Sequence, residues 1–273
     1  MTGAGAWRML AKGEDPQGIV LAVDFDVTGR AEARFSDLVA NLDTSYTVWE
    51  TIPPPVRTQQ AWTGAGYVGH WAAGIGQAGL PVRALLGFCA GSVYAAALAD
   101  RISAAQGTSP LLLLFDPELS VPQTLLWQYL KIVSFMSGTI PPAAAGGMRE
   151  AGQRAFEQHQ EIAGLQAALA RLLREQGAAA FELAGLDQRL RGELLDIIDS
   201  CLCYLAAASQ IDPLSQWKSA TVIGSSSPMS GLRGMRLAGT DVCVAREIDV
   251  AADHGSMLAD LEVAAAVRDL LAG

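Results

Sequence analysis

The stretch Pro81-Val82-Arg83-Ala84-Leu85-Leu86-Gly87-Phe88-Cys89-Ala90-Gly91-Ser92-Val93-Tyr94-Ala95-Ala96-Ala97-Leu98 decides how this chain is read. Its first six residues are apolar, brief and opened by a proline, the pattern of a short buried strand. Residues 92–102 are mostly small and apolar and predict a helix. Between them, Gly87-Phe88-Cys89-Ala90-Gly91 spells G-x-C-x-G, the nucleophile-elbow pattern with cysteine where serine is usual. A sharp strand-to-helix turn leaves no room for a Cβ two positions to either side of its tip, so both positions are glycine. Such a turn lifts the central side chain clear of the sheet. It also aims the first N–H groups of the helix at whatever that side chain attacks. A structural cysteine in a glycine-rich turn would share the pentapeptide; the flanking elements and the partners described below favour a nucleophile.

Outward from this point the chain alternates. Residues 18–25 predict a central apolar strand, followed by a loop over 26–30 and a helix over 32–42. Residues 46–52 predict a strand stopped by Pro53-Pro54-Pro55, and residues 60–79 a helix leading into the elbow strand. Leu111-Leu112-Leu113-Leu114-Phe115 predicts a fully buried strand ending at Asp116-Pro117. This order is the signature of an α/β fold, a parallel sheet covered on both faces. From Ser120 to Gln210 nothing resembles a strand. Helices are expected over 149–176 and 192–208, with residues 141–147 (Pro-Pro-Ala-Ala-Ala-Gly-Gly) as a flexible joint. Strands resume at 219–224 and 241–246, and a helix over 261–271 closes the chain. The expected organisation is a core from residues 1–116 and 213–273, with residues 117–212 inserted as a helical cap.

Composition narrows the function. A chain of 273 residues can bury one large α/β core. It is 51% hydrophobic and 17% charged, yet no run approaches 18 uncharged apolar residues, so no membrane span is expected. The first residues lack the basic and apolar regions of a signal peptide. Four cysteines without disulfide or zinc spacing and three scattered histidines point to a reduced, cytoplasmic protein without a metal. A net charge of −9 argues against nucleic acid as a partner.

A thiol nucleophile needs a base, and the base an orienting acid. His254 lies in Asp249-Val250-Ala251-Ala252-Asp253-His254-Gly255-Ser256, between the last expected strand and the last helix. In a parallel sheet that loop opens at the carboxyl edge, where the elbow also lies. His70 and His159 fall in helical stretches and are taken as surface residues. His254 is favoured as the base over its plainer role as a loop histidine bonded to a neighbour. For the acid, the loop Gly224-Ser225-Ser226-Ser227-Pro228 after the post-cap strand offers no carboxylate. Asp116, an isolated acid at the end of five apolar residues, is favoured over its plainer role as a turn cap beside Pro117.

Cys89, Asp116 and His254 in this arrangement resemble the thioesterases of nonribosomal peptide and polyketide synthesis, whether as a terminal domain or as a stand-alone enzyme. In that α/β-hydrolase family the acid follows the strand after the elbow helix, and a helical lid comes next. The resemblance covers nearly the whole chain. Residues 29–35 are similar to the family's glycine-to-aromatic segment, residues 112–116 to its strand ending in Asp, and Asp253-His254-Gly255-Ser256-Met257-Leu258 to its Asp-His-x-x-Met-Leu stretch. The chain departs from the pattern in its cysteine nucleophile, in a 26–29 loop without the common proline and paired glycines, and in Ala252 where glycine is frequent. The resemblance implies an α/β-hydrolase fold with a mostly parallel sheet and an inserted lid. It implies acyl transfer from a carrier-protein thioester through a Cys-His-Asp triad and a covalent acyl-enzyme, with release by cyclisation, transfer or hydrolysis. An acyl or peptidyl carrier protein would be the partner, its phosphopantetheine arm delivering an apolar or peptidyl acyl chain, with no other cofactor. The backbone N–H of Ala90, and that of Thr28 by matching Phe35 to the family aromatic, would form the oxyanion hole. Two alternatives stay open. A dienelactone-hydrolase-like enzyme also uses cysteine in G-x-C-x-G, but with an acid after the post-cap strand. The other is a hydrolase fold recruited for binding alone.

Overall fold

Two apolar segments, Ile19–Val23 (β2) and Val82–Phe88 (β4), lie side by side in the centre of a seven-stranded sheet. The computed structural model describes residues 5–14, 18–26, 32–54, 62–76, 79–138, 140–183 and 185–273. Around the central pair run Trp7–Ala11 (β1), Phe35–Leu42 (α1), Thr47–Thr51 (β3), Gly64–Ile75 (α2), Gly91–Gln106 (α3) and Leu111–Phe115 (β5). Thr221–Gly224 (β6) and Arg246–Asp249 (β7) complete a sheet ordered β1-β3-β2-β4-β5-β6-β7. Every pairing is parallel except that of β1 with β3. All five residues of β2 are buried, as a strand sandwiched between helical layers must be. The expected mostly parallel α/β sheet is the one the chain forms.

The departures sit where apolar pattern is weakest. β1 is an edge strand that the periodicity of the chain does not announce; its anchor is Trp7, whose indole N–H donates to the Trp71 carbonyl at 2.9 Å. The last strand is Arg246–Asp249, not 241–246. Its Arg-Glu-Ile-Asp sequence pairs on one side only and stays largely exposed, so no apolar run marks it. The N–H groups of Ala245 and Arg246 both reach the Ala220 carbonyl, at 3.0 and 3.3 Å, and this sets its register. Gly231–Leu237 (α10) was not expected; Leu214–Trp217 (α9) and Leu261–Ala272 (α11) complete the helices of this unit.

A second compact unit is built from residues 120–210 together with residues 62 and 63 and, among the described residues, contains no strand. Its helices are Pro122–Met136 (α4), Pro142–Gln158 (α5), Ile162–Leu172 (α6), Ala178–Leu183 (α7) and Gln188–Ala208 (α8), with a π-helical turn at Leu173–Gly177. The joint expected at 141–147 is instead the first turn of α5. Pro142 occupies a first-turn position, where the missing N–H is not needed, and three alanines follow. The single helix expected over 149–176 is broken at His159–Glu161 into α5 and α6. No described helix of either unit is long and apolar enough to cross a membrane.

One ion network, with buried carboxylates and partly exposed arginines, ties the β1 edge to the end of β2. Arg8 sits opposite Glu50 in the β1–β3 register. Its Nε donates to Glu50 Oε2 at 2.7 Å, and its Nη2 pairs with Asp26, which Arg34 also approaches at 3.2 Å. Burial pushes the Glu50 carboxyl up to about 7 in spite of Arg8, and among the described residues Glu50 Oε1 accepts no hydrogen bond. A carboxyl that holds its proton more tightly folded than unfolded stabilises the fold below the ordinary glutamate range. That contribution is lost as pH rises from about 4.5 through about 7. Thermal melts should therefore show Tm falling by about 5 °C across this window, with Glu50→Gln flattening the slope; equal slopes for the two proteins would contradict the assignment.

Candidate active site

The turn after β4 is built as its glycines demand. Cys89 adopts φ 51°, left-handed for a residue with a Cβ. A Cβ on Gly91 would lie 2.2 Å from the Val23 carbonyl oxygen, so α3 can start this close to β2 only at glycine. The Ser92 hydroxyl donates to the Gly87 carbonyl at 3.0 Å and closes the turn. The Cys89 N–H donates to Phe115 at 3.0 Å, continuing the β4–β5 ladder in which Phe88 pairs with Phe115.

That register puts Asp116 beside the elbow. Asp116 is itself left-handed (φ 40°), is 1% exposed, and donates its N–H to the Ile223 carbonyl at 3.0 Å. The loop after β6 has no acid, and it serves another purpose: the Ser225 N–H donates to Asp116 Oδ1 at 2.8 Å. Asp116 Oδ2 lies 2.8 Å from His254 Nδ1, with the histidine arriving from the loop after β7. That loop is laced to the serine loop: the Ser226 N–H donates to the Ala252 carbonyl at 2.8 Å and the His254 N–H to Ser227 Oγ at 2.9 Å. The imidazole stacks on Phe88, ring centroids 4.9 Å apart and planes 22° apart. A Cβ on Gly231 would come within 2.7 Å of Asp116 Oδ1, so the approach of α10 also depends on a glycine, at φ 60°.

Of the residues singled out from sequence, Asp116 and His254 are directly hydrogen-bonded, and Cys89 stands at the adjacent strand end. The half-buried thiol does not bond to His254; it donates to Glu118 Oε2 at 3.2 Å. Burial, then the Glu118 carboxylate, then more weakly Asp24, push the thiol well above its ordinary range, and the Ala90 N–H opposes them. Ala90 is the N-cap of α3, where an oxyanion donor is expected. Thr28 lies outside the described residues. His70 lies within α2 and His159 caps the C-terminus of α5. Glu118 was not singled out from sequence, and the serine loop was noted only for its lack of an acid. Their only signals were an acid two residues past Asp116 and a serine run directly after a strand.

Sheet order and elbow together define an α/β-hydrolase fold. Among solved structures the chain is similar to the NocB thioesterase domain from the nocardicin cluster, with 15% identity and a TM-score of 0.56 over 99% of this chain and 100% of that one. It is similar to the Vlm2 thioesterase domain carrying 2,3-diaminopropionic acid and bound with a dodecadepsipeptide, with 14% identity and a TM-score of 0.52 over 97% and 96%. A third likeness is MGS-M2, an α/β-hydrolase enzyme from a Medee basin deep-sea metagenome library, at 8% identity and a TM-score of 0.54 over 97% and 91%. At these identities the likeness is one of fold. No family model matches the chain, and no curated protein does.

The thiol environment sets an order of reactivity. Because the Cys89 thiol holds its proton well above its usual range, its thiolate fraction at neutral pH is small and grows as pH rises. Iodoacetamide at pH 7 should label the exposed Cys243 well before Cys89, and Cys89 should gain only as the solution is made strongly alkaline. Peptide mass mapping checks this, and fast labelling of Cys89 at pH 7 would contradict it.

Proposed function

We propose that the protein is a thioesterase-like acyl-transfer enzyme acting on carrier-bound thioesters, with Cys89 as nucleophile, His254 as base and Asp116 as its orienting acid. The observation that carries this reading is the 2.8 Å Asp116–His254 pair at the strand edge that also bears a cysteine elbow. Asp116 engages Nδ1 of the imidazole, which leaves Nε2 to take the thiol proton. The thiolate attacks the substrate carbonyl carbon; the carbon–sulfur bond to the phosphopantetheine arm breaks, and the departing thiol takes the proton back from the imidazolium. The acyl group then rests on Cys89 as a second thioester. Attack by an amine, an internal nucleophile or water, deprotonated by His254, releases the product and regenerates the thiol.

A thioester-to-thioester exchange loses little energy on loading, and a thioester reacts with amines more readily than an oxoester does. Cysteine thus tilts release towards cyclisation or transfer over hydrolysis. The backbone N–H of Ala90, with that of Thr28, is assigned to the oxyanion. An acyl or peptidyl carrier protein is the proposed partner in the cytoplasm, and the depsipeptide held by the Vlm2 domain supports a peptidyl or depsipeptidyl acyl chain. The helices of residues 117–212 take the part of an acyl-selecting lid that excludes water while the acyl-enzyme awaits its acceptor.

Incubation with an acyl-pantetheine thioester should add the acyl mass to the peptide containing Cys89. Cys89→Ala should abolish turnover, and Cys89→Ser should move the product ratio towards the hydrolysed acid. Asp116→Asn should slow turnover by about 10⁴-fold while the fold survives, since it fixes the wrong imidazole tautomer. Full turnover by Cys89→Ala would end this reading. Enlarging exposed positions of α4, for instance Ser134→Trp, should change the preferred acyl length without changing alkylation of Cys89. Unchanged acyl preference and unchanged partition between hydrolysis and transfer would remove the helical unit from selection.

A further inference from the structure

Among the described residues, the Cys89 thiol donates to a side chain that chemistry would not choose as its base. Its hydrogen goes to the Glu118 carboxylate, 3.2 Å away. Glu118 is tied to the elbow a second time, through its main chain: its N–H donates to the Cys89 carbonyl at 3.3 Å. The left-handed turn at Asp116 makes this possible, folding the chain so that residue 118 returns to the elbow while residue 116 faces His254. Pro117 between them restricts the backbone further. His254 spends Nδ1 on Asp116 and makes no hydrogen bond to Cys89. Among the described residues, the ionisable groups at this edge include Glu118 after β5 and Asp24 after β2, which act on the thiol, and the Asp116–His254 pair beside the elbow. Both acids that act on it favour the neutral S–H, and the Ala90 N–H is the counterweight.

We propose that Glu118 is a holding carboxylate for the nucleophile: it keeps the Cys89 S–H turned away from His254 until an acyl thioester enters, and entry of the substrate hands that S–H to His254 Nε2. This rests on Cys89 and His254 being nucleophile and base. The exchange breaks one hydrogen bond and makes another, Glu118 stays a carboxylate throughout, and the proton moves only when His254 takes it. The unloaded enzyme then presents a protonated thiol, a poor target for oxidants and electrophiles, since the thiolate is the reactive form. Reactivity appears only when the substrate has arrived.

The test is the pH profile of Cys89 alkylation by iodoacetamide, followed by peptide mass on the full chain without substrate. Glu118→Gln should speed alkylation at pH 7 about tenfold and move the profile to lower pH, because a negative neighbour is gone from a half-buried thiol. Adding His254→Ala should abolish that gain, because the freed S–H then has no acceptor. Glu118→Asp, whose carboxylate sits one methylene further back, should fall between wild type and Glu118→Gln. If Glu118→Gln does not fold, as judged by its melt, the Glu118→Asp profile decides by the same criterion. A profile superposing on wild type, or a gain that survives His254→Ala, overturns the proposal. A purely structural role would change the melt and leave the profile in place. Acyl mass on Cys89 is scored separately, so failure of the acyl-transfer reading is distinguishable from failure of the holding role.

Discussion

The left-handed turn at Cys89 is the constraint on which the site depends. Two residues, Cys89 at φ 51° and Ala90, join the central strand β4 to α3, and holding a residue with a Cβ at such a φ costs on the order of 1–3 kcal/mol. The surroundings over-determine it. The Cys89 N–H is locked to β5, the Ser92 hydroxyl to Gly87, and the Trp217 indole N–H donates to the Ser92 carbonyl at 3.3 Å. Without a Cβ on Gly91, α3 begins against the β2 backbone, and the thiol stands at the end of the sheet.

Parallel register then assembles the rest. β4, β5, β6 and β7 are consecutive neighbours, so their carboxyl ends open side by side. Each supplies one part: the elbow from β4, Asp116 from β5, the serine loop from β6 and His254 from the segment after β7. Moving the acid to β5 frees the β6 loop for another task. Its backbone donates to the Asp116 carboxylate and its Ser227 hydroxyl accepts from the His254 main chain. These contacts hold the Asp116–His254 pair without involving the thiol.

Among the described residues, the side chains that act on the thiol are acidic. Glu118 and Asp24 act on the thiol, and Glu50 and Asp26 share Arg8 at the neighbouring end of β2 and β3. A cysteine enzyme built for standing reactivity would gather positive charge or a histidinium around its sulfur. Here the surroundings favour the neutral thiol, as the proposed holding role of Glu118 requires.

Much of this was legible in residues alone, because the informative features are local or apolar. Glycine two positions either side of Cys89 states the turn, buried strands announce themselves as apolar runs, and an acid closing such a run, as Asp116 does, stands out. The polar edge strand at Arg246–Asp249, the amino-terminal strand anchored by Trp7 and the short helix at Gly231 were not legible. Their places are set by pairing and packing with residues far along the chain, not by any period of their own. For the same reason the sequence determined which residues could act, and the tertiary structure decided whom each one touches. Glu118 reaches Cys89 only because Asp116 turns left-handed between two strands in parallel register, and no spacing in a linear chain encodes that turn.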